Sequence, residues 1–190
     1  TAEFRLRHKY LLAVLESMPQ GISVFDQNLR LRVWNKGMLD VLNLPAEAVF
    51  DGVHFSDLIR IPAKRGEYGP GDPENHVKRI TGLALKFEPH RFERTRPSGF
   101  THLVQGEPLF MDGQLAGFIT TYTDITERKR AEEKLQQQHN LLETIIESIP
   151  SAVSFINRDK VLELHNQEFR RLLEIPESLF EQSPVTLEML

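Results

Sequence analysis

The chain has 190 residues, 40% of them hydrophobic and 26% charged, with a formal net charge of -4. That length and composition suit one or two soluble globular domains, and the apolar runs are far too short for a transmembrane helix. The complete lack of cysteine excludes disulfides, thiolate metal sites, cysteine nucleophiles and cysteinyl-flavin photochemistry together.

The acidic balance gives no reason to expect nucleic acid. Arg128-Lys129-Arg130 is a basic run, but Glu127, Glu132 and Glu133 surround it, so it reads as a solvated helix face rather than a phosphate patch. No signal-peptide pattern opens the chain. A cytoplasmic location is expected, with no membrane contact in this stretch.

In chain order, residues 1–18 read as an N-terminal helix with apolar positions Phe4, Leu11, Val14 and Met18. The period then changes to two. Ile22 and Val24 alternate with Ser23, a turn follows at Asp26-Gln27-Asn28, and Leu31 and Val33 alternate with Arg32. This predicts a β-hairpin with one buried face. Short helical segments are expected near 36–43, 46–50 and 55–61. Asp72 has the character of an N-cap, with Pro73 at the first helical position, opening a helix through Lys86.

Three more strands close this module. Residues 91–96 lead through a Pro97-Ser98-Gly99 turn into 102–105, Asp112-Gly113 is a hairpin signal, and 115–123 form the last strand. Asp124 then caps a helix over 127–149, with Glu127 completing a capping-box pattern. The apolar positions of that helix are Ala131, Leu135, Leu142, Ile145 and Ile149, with Gln138 polar on the same seam.

The chain also repeats itself. A shift of 131 residues carries Glu16-Ser17-Met18-Pro19 onto Glu147-Ser148-Ile149-Pro150, Asn35 onto Asn166 and Leu42-Asn43-Leu44-Pro45 onto Leu173-Glu174-Ile175-Pro176. The same gapless shift sets Ile59 against Leu190. A complete module over 19–126 is thus followed by the start of a second over 150–190, and the chain is expected to be a piece of a longer protein. So long a period indicates tandem globular domains, not a solenoid. In the second copy, Val153, Phe155, Leu162, Leu164, Phe169 and Leu172 are expected to face inward, where another chain, the first module or crystal neighbours must cover them. The two helices share one heptad register, Phe4 over Leu135 and Arg7 over Gln138. They read as parallel coiled-coil segments entering successive modules, or as amphipathic helices packing on their own domains.

Four segments carry a family resemblance. Val33-Trp34-Asn35, Arg65-Gly66-Glu67-Tyr68-Gly69-Pro70-Gly71-Asp72, Phe92-Glu93-Arg94-Thr95-Arg96-Pro97 and Tyr122-Thr123-Asp124-Ile125-Thr126-Glu127-Arg128 together resemble a PAS domain. The subtype is the bacterial one found in sensor histidine kinases and in proteins that make or degrade cyclic diguanylate. The resemblance implies an α+β fold: a five-stranded antiparallel sheet with short helices on one face, flanked by amphipathic helices. It also implies a core that in some relatives holds a ligand, a sheet face that often dimerises, and a sensing role reported by the exiting helix.

Candidate sites follow from the residues and that resemblance. Gly66, Gly69 and Gly71 lack the Gly-Lys-Ser/Thr ending of a phosphate loop and lie between helices, so they read as a tight turn before Asp72. In haem-binding relatives the helix carrying His76 supplies the proximal ligand, although its polar neighbours make a surface histidine the simpler reading. Trp34 and Asn35 are candidates for non-covalent flavin, and a small apolar or carboxylate metabolite is a third option. A core filled by its own side chains, with no cofactor, is the expectation. His90 and His102 read as cross-strand surface histidines rather than a metal pair. His139-Asn140 lacks the His-Glu/Asp-x-x-x-Pro context of a kinase phosphoacceptor.

No catalytic constellation is legible, so the fragment is expected to be regulatory rather than enzymatic. Asp124, Thr126 and Glu127 are the expected signal relay from the last strand into the helix. The expected partners are a second copy, through the flanking helices and sheet, and an effector domain of the same chain. A histidine kinase is favoured as that effector. The competing reading is a ligand-free spacer in a diguanylate cyclase or phosphodiesterase.

Overall fold

A computed structural model describes residues 2–180 and 184–189. The chain forms two compact units that part between Lys129 and Arg130. The first opens with α1 (Ala2–Ser17) and the hairpin β1 (Gly21–Asp26) and β2 (Leu31–Trp34). Next come α2 (Lys36–Leu42), a 3-10 turn at Ala46–Ala48, α3 (Phe55–Lys64) and α4 (Pro73–Ala84). The strands β3 (His90–Thr95), β4 (Thr101–Met111) and β5 (Gln114–Asp124) lead into α5 (Thr126–Ser148). The five strands make one antiparallel sheet in the order β2-β1-β5-β4-β3. This is the architecture that the resemblance implies.

The predicted elements are present with shifted ends. β4 runs to Met111, well past the expected 105, straight into the Asp112-Gly113 turn where both residues have positive φ. In the hairpin β1–β2, the Asp26 carboxylate accepts from the amides of Asn28 and Arg30 and fixes the turn. A β-bulge lies between Val24 and Phe25, so Phe25 pairs with Leu31 while Val24 pairs with Val33. An extra residue reverses the alternation. On β2 the extra residue is Arg32, so Leu31 joins Phe25 in the core and Val33 is left exposed on the other face. Ser23, read as the polar position, is fully buried and shares a hydrogen bond with the Tyr122 hydroxyl at 3.0 Å.

Asn35 organises the entry to the sheet. Its Oδ1 accepts from the Ile22 amide at 2.8 Å and the Met38 amide at 3.1 Å. Its Nδ2 donates to the carbonyls of Leu15 at 2.8 Å and Gln20 at 2.9 Å. One buried amide thus joins the end of α1, the start of β1 and the first turn of α2. All of its usual bonding capacity is used. The approach is close: a Cβ on Gly37 would lie 2.7 Å from the Gln20 carbonyl oxygen.

The second unit contains the hairpin β6 (Ser154–Ile156) and β7 (Leu162–His165), then α6 (Gln167–Leu172), α7 (Glu177–Phe180) and a 3-10 turn at Leu187–Met189. Its bulge lies between Phe155 and Ile156, the counterpart of the first. Phe155 therefore pairs with Leu164 as Val24 pairs with Val33, on the face away from the core positions, and Phe155 is exposed. The expectation that Phe155 and Leu164 face inward is corrected: Phe155 is exposed, its half-buried partner Leu164 lies on the same face, and Leu172 is exposed as well. The gapless register also fails late. Arg30 bridges His54 whereas its counterpart Val161 bridges Thr186, and 186 less 54 is 132, one residue more than the repeat. The comparison of Ile59 with Leu190 lies outside the described residues.

A ligand-sized cavity and the clamp on the exit helix

The core of the first unit is not filled by its own side chains. Between the sheet and the helices lies a cavity of about 460 Å³, within the range of small-molecule sites. Phe25, Val104, Phe118, Thr120 and Tyr122 form its floor on the sheet, and Leu58, Ile59, Ile80 and Leu83 face them from α3 and α4. The His90 ring stacks on Phe118 with centroids 5.0 Å apart. That stack needs a glycine opposite it, because a Cβ on Gly106 would come within 2.6 Å of both rings.

One end of the cavity is polar. Arg94 and His102 pair across β3 and β4 and both face inward. The Arg94 guanidinium lies 4.1 Å over the Tyr68 ring and 5.3 Å from that of Phe92. Burial holds its pKa below the ordinary arginine value. His102 is 2% exposed, and burial, followed by the charges of Arg96 and Arg94, takes its pKa down to about 4. Burial likewise pushes the Tyr68 phenol up to about 12. Glu67 and Tyr68 reach the cavity from the glycine turn, where Gly66, Gly69 and Gly71 all have positive φ. Asp72 then caps α4 by accepting from the Glu74 amide at 3.1 Å, as the sequence predicts.

The opposite face of the same strands holds α5. Asp124 Oδ1 accepts from the Thr126 amide at 2.9 Å and from its hydroxyl at 2.6 Å. The Thr126 hydroxyl oxygen in turn accepts from the Thr101 amide at 3.0 Å. Glu93 on β3 takes Lys129 at 2.6 Å and Arg128 at 3.0 Å, and the Lys129 hydrogen bond holds its carboxyl below the usual range. The first turn of α5 is thus fastened to β3, β4 and β5 together, where the sequence indicated only the last strand. Glu127 stands exposed on this turn, and Asp124 precedes the cap position.

Of the sequence candidates, Thr126 and Asp124 come together and the proposed cofactor residues do not. His76 is absent from the cavity lining. Its Nε2 meets the Pro70 carbonyl at 3.1 Å and secures the glycine turn. The residues present therefore do not fit a haem ligated through His76. Asn35 is saturated by backbone, and Trp34 packs half-buried against the core. Neither lines the cavity, so neither fits a flavin there. His90 and His102 do line it, contrary to the surface reading, but four residues of strand separate His90 from the partner of His102. Among the described residues no group of three or more His, Cys, Asp or Glu could hold a metal ion. The sequence reading missed Arg94, His102 and Tyr68. The alternation His90, Phe92, Arg94 along β3 was the available signal.

Two family matches accompany this geometry. Residues 15–133 match the family described as PAS fold, and residues 140–188 match one described as PAS domain. The chain belongs to the PAS family. No curated protein matches it. Among solved structures it is similar to the PAS domain of Bordetella pertussis BvgS, at 22% identity over 73% of this chain and 98% of that one, with a TM-score of 0.49. The sensor region of a sensor histidine kinase matches at 19% identity over 57% of this chain and 40% of that one, TM-score 0.42. The PAS domain of an HTR-like protein from Haloarcula marismortui matches at 20% over 65% and 98%, TM-score 0.38. The first unit is thus a PAS sensory module with a cavity of its own. No described helix is long and apolar enough to cross a membrane.

Proposed function

We propose that the first PAS unit senses a small ligand in its cavity and reports occupancy through the first turn of α5. The observation that supports this is a pair of adjacencies. On β3, Arg94 faces the cavity while its neighbour Glu93 holds Arg128 and Lys129. On β4, His102 faces the cavity while its neighbour Thr101 binds Thr126. Successive residues of a strand point to opposite faces. A ligand that moves Arg94 or His102 therefore shifts the backbone that carries the clamp. The arrangement couples two sites through one rigid element, with no need for a longer route.

The reading extends to a partner and an effector. α1 buries no residue, and Phe4, Leu11 and Val14 are exposed along it. Leu135, Leu142 and Ile145 are exposed on α5 in the same heptad register. Packing on its own domain does not account for that seam in α1; a parallel coiled coil with a second copy does. Phe155, Leu172 and Leu187 of the second unit are exposed too, each worth about 1.5–3 kcal/mol when covered, and the partner copy is the cover we favour. The effector we favour is a histidine kinase beyond this stretch, on family resemblance, working in the cytoplasm.

Filling the cavity tests the relay without knowledge of the ligand. Val104→Phe should alter hydrogen exchange at the Lys129 and Arg130 amides, and adding Thr126→Val with Glu93→Gln should remove that response. Unchanged exchange in a folded Val104→Phe protein would leave the ligand-free spacer reading in its place.

A further inference from the structure

We propose that the cavity takes an amphipathic monocarboxylate, an aryl or short alkyl body with one carboxylate seated on Arg94 and His102. The inference rests on the reading of this unit as a ligand sensor and names the chemistry of its ligand.

Arg94 is a cation without an anion. Among the described residues no carboxylate lies within ion-pair distance of it, and its Nη1 is buried with no hydrogen-bond partner. The aromatic rings of Tyr68 and Phe92 meet its charge instead. Such contacts stabilise a guanidinium while leaving its in-plane donors open. An unmatched buried donor is a costly feature to retain unless something fills it.

The acid that lines the same end is already engaged. Glu67 Oε1 takes Arg65 at 3.0 Å and Oε2 takes Arg96 at 3.2 Å. Arg79 also lines the cavity. Glu67 is thus taken up by Arg65 and Arg96, and the nearby Arg79 and Arg94 add charge without a second carboxylate beside them, which leaves this end positive. Glu88 precedes β3, at the end of that strand away from Arg94. Four residues of strand from His90 to Arg94 span roughly 13 Å.

His102 supplies the second donor. Its Nδ1 is buried without a partner, directly across the β3–β4 pair from Arg94. Burial and the two neighbouring arginines keep the ring neutral, so it contributes an N–H and no charge. A guanidinium edge and one imidazole N–H match the two oxygens of a carboxylate. Of the cations at this end only Arg94 stands directly across from His102, and one guanidinium edge beside one imidazole N–H suits a monoanion better than a phosphate. Beyond it the walls are Phe25, Phe118, Leu58, Ile80 and Leu83, which select an apolar body and reject a polar one.

Calorimetry on the 190-residue chain at pH 7 tests this with three probes: 4-phenylbutyrate, 4-phenylbutan-1-ol and acetate. The acid should bind about 10-fold or more tightly than the alcohol, and acetate should show no measurable binding. Arg94→Met should bring acid and alcohol to equal affinity, with the retained alcohol binding showing that the cavity is intact. Should that variant fail to fold, salt dependence serves on the wild-type chain: added NaCl should weaken the acid and spare the alcohol. Equal affinities in the wild type, a preference for acid that survives Arg94→Met, or no binding of either probe would overturn the proposal. Hydrogen exchange at the first turn of α5 in the same samples separates the two readings. Binding of the acid without change there defeats the relay and leaves the ligand class standing, whereas equal binding of acid and alcohol with a change there does the reverse.

Discussion

Asn35 and Asn166, one repeat apart, hold their surroundings in the same way. Asn35 bonds the backbone of Leu15, Gln20, Ile22 and Met38. Asn166 bonds that of Ile146, Ser151, Val153 and Phe169. Each position in the second set is the first plus 131. The carboxylates repeat too, Glu16 accepting from the Lys36 amide and Glu147 from the Gln167 amide. The repeat therefore preserves a junction that ties an incoming helix to a sheet.

This predicts a local and separable effect of mutation. Asn35→Ala strands two amides and two carbonyls and should cost the first unit about 3 kcal/mol, read as a lower denaturation midpoint. The Ile22 and Met38 amides should exchange faster while Val153 and Phe169 keep their protection. Asn166→Ala should give the converse pattern. Equal loss at both junctions from either change would show that the amides do not act locally.

His102 gives the fold a pH dependence of known sign. Its folded pKa is about 4 against an ordinary 6.5, so between those values the unfolded chain carries the extra proton. Stability from this residue is complete above pH 6.5, is lost as the pH falls, and stops changing near pH 4. The whole effect is on the order of 3 kcal/mol. His102→Leu should flatten the stability profile in that window relative to wild type and leave it parallel above pH 7. An unchanged slope would mean that the ring protonates in the folded state without penalty.

The exit clamp makes its own prediction. Thr126→Val keeps the shape of the side chain but leaves the Thr101 amide and the Asp124 carboxylate without their hydroxyl partner. A loss of about 1 kcal/mol is expected, with faster exchange at the Lys129 and Arg130 amides. Thr126→Ser restores the hydroxyl and should recover most of the protection. Failure of serine to do so would place the effect in the methyl group's packing.

Much of this was legible from sequence because it is local. Asp72 and Pro73 announce a helix start, Asp112-Gly113 announces a hairpin, and Asp124 with Thr126 marks the strand-to-helix exit. The inward faces were not legible, since β1 turns Ser23 and Phe25 rather than Val24 toward the core. An extra residue at Arg32 of β2 sets Leu31 and Val33 on opposite faces, with no residue there to advertise it. The cavity was hidden for a different reason. Its polar end joins Tyr68 from a turn, Arg94 from β3 and His102 from β4, and only the pairing register brings them together. A lone arginine between Phe92 and Arg96 in sequence carries no sign that it lacks a counter-ion.

The coiled-coil reading of α5 can be tested cleanly because the chain contains no cysteine. Leu142 lies on the shared seam with Leu135 and Ile145, and Asn140 lies two residues away, on the far side of the helix. In a parallel dimer, seam positions bring like residues within disulfide reach, which requires Cα atoms no more than about 7 Å apart. Leu142→Cys should therefore give a covalent dimer on mild oxidation, and Asn140→Cys should not. Leu142→Glu should shift the chain toward monomer in a sedimentation series. Equal cross-linking from both cysteines would reflect collisions alone, and a monomer at every concentration would return the exposed seam to some other partner.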